Sequence, residues 1–265
     1  MPSFVLYLLL GAVAGTLAGL FGVGGGAIIV PVLVFSFQAL GISDEVLMHL
    51  ALGTSLASIV VTAANSVRAH HQLENVAWPL VWRMTAGIVV GTAAGSVVAG
   101  NLDGAILRRA FTVFLVGVAI KMATRWNPKS SRAEGRPATI ALLGAGGAIG
   151  FASALFGIGG GTMSVPFFVW AGLEMKRAVG SSAACGLPIA ISGGLSYAVI
   201  GWGQAHLPPL SVGYVYLPAL VGIVLTSAPF ARIGAKIADR LPETWLKRAF
   251  AALMLVIAAK MAWSG

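Results

Sequence analysis

The stretch Gly15-Thr-Leu-Ala-Gly-Leu-Phe-Gly-Val-Gly-Gly-Gly-Ala-Ile-Ile-Val-Pro31 returns later in the chain as Gly150-Phe-Ala-Ser-Ala-Leu-Phe-Gly-Ile-Gly-Gly-Gly-Thr-Met-Ser-Val-Pro166. Phe21 corresponds to Phe156 and Pro31 to Pro166, each pair 135 positions apart, so the chain is an internal duplication. Each copy sets four glycines among five residues, Gly22, Gly24, Gly25 and Gly26 and then Gly157, Gly159, Gly160 and Gly161, between long apolar runs. Glycine costs a helix about 1 kcal/mol relative to alanine, enough at this density to break it. Helical patterning resumes at about Ala27 and Thr162, and the proline four residues on is expected in or near the first turn, where a missing N–H costs little. The motif reads as helix, unwound glycine loop, helix.

Composition sets the solvent for this motif. Hydrophobic residues make up 58% of the chain and charged residues 9%, with a mean hydropathy of +0.91, which predicts an integral membrane protein. In hydrocarbon an unwound loop is tolerated only where it is buried in protein or lines a cavity. A helix broken at corresponding places in two halves is the sequence mark of a transport site.

The 265 residues suffice for two small helical bundles and leave no sizeable extramembrane domain. The net charge of +9 comes from Lys and Arg lying mostly between apolar segments, the pattern of topology-setting loops and not of a nucleic-acid surface. A single cysteine, Cys185, excludes an intrachain disulfide and a Cys-based zinc cluster. Residues 4–21 have the apolarity of a signal-peptide core. No basic residue precedes them and the pattern recurs at 138–156, so they read as mature structure.

In chain order, residues 4–21 and 27–40 form the first broken pair. Its second arm, of about 14 residues or roughly 21 Å, is short for a core of about 30 Å, which favours a re-entrant hairpin. Apolar spans follow at about 47–67, 78–100 and 105–125. The second half repeats the plan with a hairpin at 138–157 and 162–172 and spans at about 177–201, 208–233 and 243–263. Leu107-Arg-Arg-Ala-Phe111 returns as Leu246-Lys-Arg-Ala-Phe250, and Lys121-Met122 as Lys260-Met261. The expected division is a first membrane repeat, 1–126, a cytoplasmic linker rich in Pro, Ser and charge, 127–137, and a second membrane repeat, 138–265.

Three crossings per half is an odd number, so the halves are expected to be inverted relative to each other. With the basic linker in the cytoplasm, both termini and the acidic Asp44-Glu45 turn face outward. Arg108 and Arg109 then lie on the outer side, against the rule.

No soluble-enzyme constellation is present. Gly22, Gly24 and Ala27 mimic a dinucleotide fingerprint, but the preceding apolar run is too long for a strand, and there is no phosphate-binding P-loop for an ATPase. The histidines, His49, His70, His71 and His206, lack partners at metal-ligand spacing. The acids fall in loops or at span edges, which gives no carboxylate relay. Arg83 is read as snorkelling to the surface. Gly11, Gly15, Gly19, Gly87, Gly91 and Gly95, spaced by four, read as close helix packing.

The glycine loops are the stronger signal for function. Unpaired N–H groups at the start of the following half-helix carry partial positive charge and favour an anion. The helix after each hairpin is polar for a span, with Thr54, Ser55, Ser58, Thr62, Asn65 and Ser66 in the first half and Ser181, Ser182, Cys185 and Ser192 in the second. Gly53-Thr54-Ser55 aligns with Gly180-Ser181-Ser182. These hydroxyls are weighed evenly between interhelical hydrogen bonding and lining a cavity.

The two Gly-x-Gly-Gly-Gly-x-x-x-Val-Pro segments, with the Gly53-Thr-Ser and Gly180-Ser-Ser helix starts, resemble the TauE/SafE family of membrane proteins over essentially the full length. The resemblance implies a secondary transporter of small sulfur-containing anions, such as sulfite, sulfoacetate or related organosulfonates, in a prokaryotic plasma membrane.

The expectation is therefore an all-α integral membrane protein of two inverted repeats, each a re-entrant helix-loop-helix hairpin plus three transmembrane helices. Its substrate-binding residues are expected to be Gly24, Gly25, Gly26, Thr54, Ser55, Asn65, Gly159, Gly160, Gly161, Ser181, Ser182 and Cys185. No cofactor, metal or catalytic residue is expected. The expected partners are the small organic or inorganic anion and the lipid bilayer, with no nucleic acid, and self-association into a homo-oligomer is left open. A passive anion channel and a non-transporting accessory subunit stand as the alternatives.

Overall fold

The structure, a computed structural model, describes residues 2–21, 26–124, 138–238 and 240–263. Among them α1 (Pro2–Phe21), α2 (Gly26–Ala39), α3 (Asp44–Gln72), α4 (Trp78–Gly100) and α5 (Gly104–Ala123) precede the linker region. The helices α6 (Thr139–Phe156), α7 (Gly161–Trp170), α8 (Met175–Ile200), α9 (Leu217–Ala238) and α10 (Glu243–Trp263) follow it. The second glycine cluster thus interrupts a helix where its density requires a break, while Gly22 to Gly25 of the first lie outside the described residues. By length and apolar composition five helices are able to cross a membrane: α3, α4, α6, α8 and the Leu217–Gly234 part of α9. Large apolar side chains stand exposed on the outer faces, among them Val113, Leu195 and Val199, a surface suited to lipid and not to water.

The helices pair across the halves. Helix α1 lies along α9 and α4 along α6, α3 meets α8, and α5 pairs with α10. In addition α4 touches α8 and α3 touches α9, while α2 packs on α3 and α7 on α8. Exchanging the halves maps each pairing onto another or onto itself.

The agreement extends to single residues, through glycines that allow backbones to approach closely. A Cβ at Gly15 would strike the Ser227 carbonyl, and one at Gly150 the Ile88 carbonyl. Gly234 meets the Thr16 carbonyl as Gly95 meets that of Phe151. The spaced glycines Gly87 and Gly91 lie on the Leu143 and Gly147 carbonyls, and Gly11 lies on Ile223. Gly19 belongs to α1.

Aromatic side chains fill the remaining interior. Phe114 stacks on Phe156 with centroids 4.5 Å apart, beside the buried Phe111. Tyr7, Phe37 and Tyr216 meet edge to face at 5.8 to 6.4 Å, a geometry favoured by the ring quadrupoles.

The span expected at 208–233 begins instead at Leu217. Before it, Ser211–Val212 and Val215–Tyr216 form a two-stranded antiparallel ribbon, the one departure from an all-helical chain among the described residues. Gly213, at φ +54, turns the ribbon so tightly over α8 that a Cβ there would collide with the Ala198 carbonyl, and Tyr214 N–H donates to Tyr197 O at 3.1 Å. The apolar content of 208–216 thus serves this cap and not a helix.

Candidate functional site

The second glycine loop has a defined shape. Gly157, at φ +60, ends α6, and Gly160, at φ +74, opens α7, both in the left-handed region where a side chain is disfavoured. Ile158 N–H donates to Ser153 O at 3.1 Å and Ser164 N–H to Gly160 O at 2.7 Å, so both helix ends are closed by local bonds. The Ser164 hydroxyl also donates to Gly160 O, at 2.9 Å. The loop sits between α3 and α8: Gly157 lies on Leu52 and Val30, Gly159 on Ile59 and Gly160 on Ile189. Ile59 and Ile189 fall near the middle of their helices, so the loop lies at mid-depth of the helical body.

The start of α2 meets this loop directly. A Cβ at Gly26 would lie 2.7 Å from Ile158 Cα and 2.8 Å from Gly157 O, and Gly26 through Pro31 are all buried. Gly24 and Gly25 lie outside the described residues, as does the linker 127–137.

The paired hydroxyls have defined work. Thr54 Oγ1 accepts the N–H of Tyr216 at 2.9 Å, just before α9. Ser181 Oγ accepts the N–H of Ala77 at 2.9 Å, just before α4. Beside them, a Cβ on Gly53 would hit the Tyr214 carbonyl and one on Gly180 the Asn75 carbonyl. Each Gly-hydroxyl pair therefore clasps the entry to a helix of the other half and satisfies an N–H that the helix start leaves open.

Ser55 donates to Gly157 O at 2.8 Å, tying α3 to the loop. Its counterpart Ser182 is buried, and its hydroxyl has no partner among the described residues. Cys185 is fully buried in the apolar core. Asn65 is exposed on α3, and the ten residues separating it from Ser55 amount to about 15 Å of helix. The structure thus gathers Gly26, Ser55, Gly159, Gly160 and Gly161 around one loop, places Thr54 and Ser181 in the clasps, and sets Asn65 apart.

One residue at this loop was not among the candidates. Pro166 is the sixth residue of α7 and has no N–H to give to Thr162 O. Lys121, in the last turn of α5, supplies a donor to that carbonyl from Nζ at 3.3 Å. An ammonium has three donors, so two stay unused among the described residues. The Thr162 hydroxyl is buried without a partner, and the N–H groups of Gly161 and Thr162 take no hydrogen bond among the described residues. The available signal was the duplicated Lys-Met pair. The counterpart Lys260 instead stands 4.4 Å over the Phe35 ring.

A cleft of about 540 Å³ lies elsewhere, among the amino-terminal ends of α3 and α5 and the carboxy-terminal end of α10. Among the described residues no group of three His, Cys, Asp or Glu could hold a metal.

A polytopic helical body in which a helix breaks at mid-depth beside a lysine and N–H groups that are unpaired among the described residues belongs to the class of membrane transport proteins. More particularly, the chain belongs to the sulfite exporter TauE/SafE family, whose model matches residues 7–261. It is similar to a probable membrane transporter protein of Haemophilus influenzae, at 40% identity over 98% of this chain and 99% of that one. It is also similar to one of Methanocaldococcus jannaschii, at 32% identity over 91% and 89% of the two chains. No solved structure matches. The chain is a multi-pass membrane transporter.

Proposed function

We propose that the protein carries small sulfur-containing anions, sulfite, sulfoacetate or related organosulfonates, across the prokaryotic plasma membrane by alternating access. The first turn of α7 carries this reading: two N–H groups and a hydroxyl that have no partner among the described residues meet the Lys121 ammonium there. Three donor types on one turn suit the oxygens of a sulfite or sulfonate, and helix-start N–H groups favour negative charge. The family's description as sulfite exporters supports the sulfur-anion class.

Two inverted repeats, each a re-entrant hairpin plus three crossings, would supply the two conformations by exchanging the roles of the halves. The reciprocal glycine contacts and clasps support that exchange. The anion would lie between the glycine loops, and both termini would face outward.

The test is uptake of labelled sulfite and sulfoacetate into proteoliposomes, with and without the same anion preloaded. Saturable uptake accelerated by preloading is the expected result. Flux without acceleration would replace the carrier with a channel, and no flux of any sulfur anion would remove the substrate assignment.

A further inference from the structure

The cleft among α3, α5 and α10 has a composition that the transport reading does not use. Two arginines line it, Arg108 and Arg109, together with Asp44 from the first turn of α3. Its remaining wall is mostly apolar, with Leu47, Val113 and Met261, and includes Thr112, whose hydroxyl donates to Arg108 O at 2.8 Å. Arg108 is held in place: Nε donates to Met261 O at 3.1 Å, and its terminal nitrogens reach the Gln38 amide oxygen, turned to face them, at 3.1 and 3.3 Å. Arg109 is exposed and makes no side-chain hydrogen bond among the described residues. Asp44 makes no ion pair among them. The cleft thus offers a fixed guanidinium, an open one and a separate carboxylate.

Its surroundings are those of lipid. Val113 is 71% exposed on α5, Val256 is 66% exposed on α10, and Trp263, two residues beyond the Met261 wall, is 94% exposed. An exposed tryptophan at the end of an apolar helix suits the headgroup level of a bilayer. Two adjacent arginines at that level, on the end of the molecule where positive charge is not expected to gather, call for an anion fixed in the membrane plane.

We propose that this cleft is a specific site for a zwitterionic phospholipid with a primary-amine headgroup. The phosphate lies against Arg109 within the field of Arg108, the ammonium donates to the Asp44 carboxylate, and the glycerol end rests on Leu47, Val113 and Met261. Guanidinium groups match phosphate oxygens in planar, two-pronged geometry. A carboxylate beside them selects a headgroup that also carries N–H donors, because a headgroup without them leaves that acceptor unpaired.

The experiment equilibrates the purified full-length protein with mixed vesicles of phosphatidylethanolamine, phosphatidylcholine and phosphatidylglycerol in equal parts, then identifies the retained lipid by native mass spectrometry. Wild type should retain phosphatidylethanolamine about tenfold over phosphatidylcholine, whose amine has no N–H, as expected for a charge-assisted hydrogen bond. Arg109→Gln should lose retained phospholipid of every class, Arg109→Lys should keep most of it, and Asp44→Asn should lose the preference while still retaining phosphatidylglycerol. Variants are compared only as monodisperse species in size-exclusion chromatography. Retained lipid that mirrors the vesicles in wild type, or is unchanged in the variants, overturns the site. Displacement by water-soluble O-phosphoethanolamine at equal potency overturns the lipid assignment in favour of a soluble ligand.

Discussion

Thr54 and Ser181 show how much depends on single hydroxyls in a membrane interior. Each accepts a backbone N–H at the entry to a helix of the other half. Removing the acceptor leaves a buried N–H without a partner, at a cost of about 1–3 kcal/mol. Thr54→Val, which preserves the shape, and Ser181→Ala should each lower the unfolding free energy in detergent by about that amount, measured by reversible denaturation. Two variants of unchanged stability would show that the clasps hold nothing.

Lys121 makes a different demand, since its ammonium is held on the one carbonyl that Pro166 leaves without a helical donor. Lys121→Gln keeps a donor and removes the charge. It should raise the half-saturation concentration of the transported anion about tenfold in proteoliposomes, the worth of one charge-assisted hydrogen bond. Lys121→Arg should stay close to wild type. If the glutamine variant transports with wild-type affinity, the lysine only completes α7.

Among the elements, the packing of α4 against α6 and of α1 against α9 rests on glycines and not on interlocking large side chains. Apolar side chains gain nothing by leaving lipid for a helix interface, so close backbone contact takes over that role. Gly91 faces the Gly147 backbone with no room for a Cβ. Gly91→Leu should separate α4 from α6 and yield a protein that inserts but aggregates, seen as loss of the monodisperse peak in size-exclusion chromatography. A Cβ at Gly117, on α5, would meet nothing within 4 Å. Gly117→Leu should therefore behave as wild type, which separates packing from helix propensity.

At the scale of the whole molecule, contacts gather the ends of the elements at two poles. Glu45 meets His206 at 3.2 Å, and His49 lies 3.0 Å from Ala99 O, which places the start of α3 with the ends of α4 and α8. The opposite pole joins Ala77 to Ser181, the start of α4 to the start of α8. With inverted halves, these poles face opposite sides of the membrane. Single cysteines replacing Glu74 and Gln204 in a Cys185→Ser background should then react with a membrane-impermeant thiol reagent from opposite sides of oriented vesicles. Labelling from one side would remove the inverted arrangement, and the alternating-access reading with it.

Membrane class, duplication, the helix break at 157–160 and most helix positions were legible in the sequence, because composition, glycine density and apolar run length are local properties that hydrocarbon tests residue by residue. The sequence also carried the family motifs. It could not show that Thr54 and Ser181 face helix entries, that Lys121 replaces the donor missing at Pro166, or that 211–216 folds into a ribbon over α8. Each of these depends on a partner more than 10 residues away in the chain, Tyr216 for Thr54 and Thr162 for Lys121. A hydroxyl that caps a backbone and one that lines a cavity carry the same letter. Only the tertiary structure brings the second half against the first and decides between them.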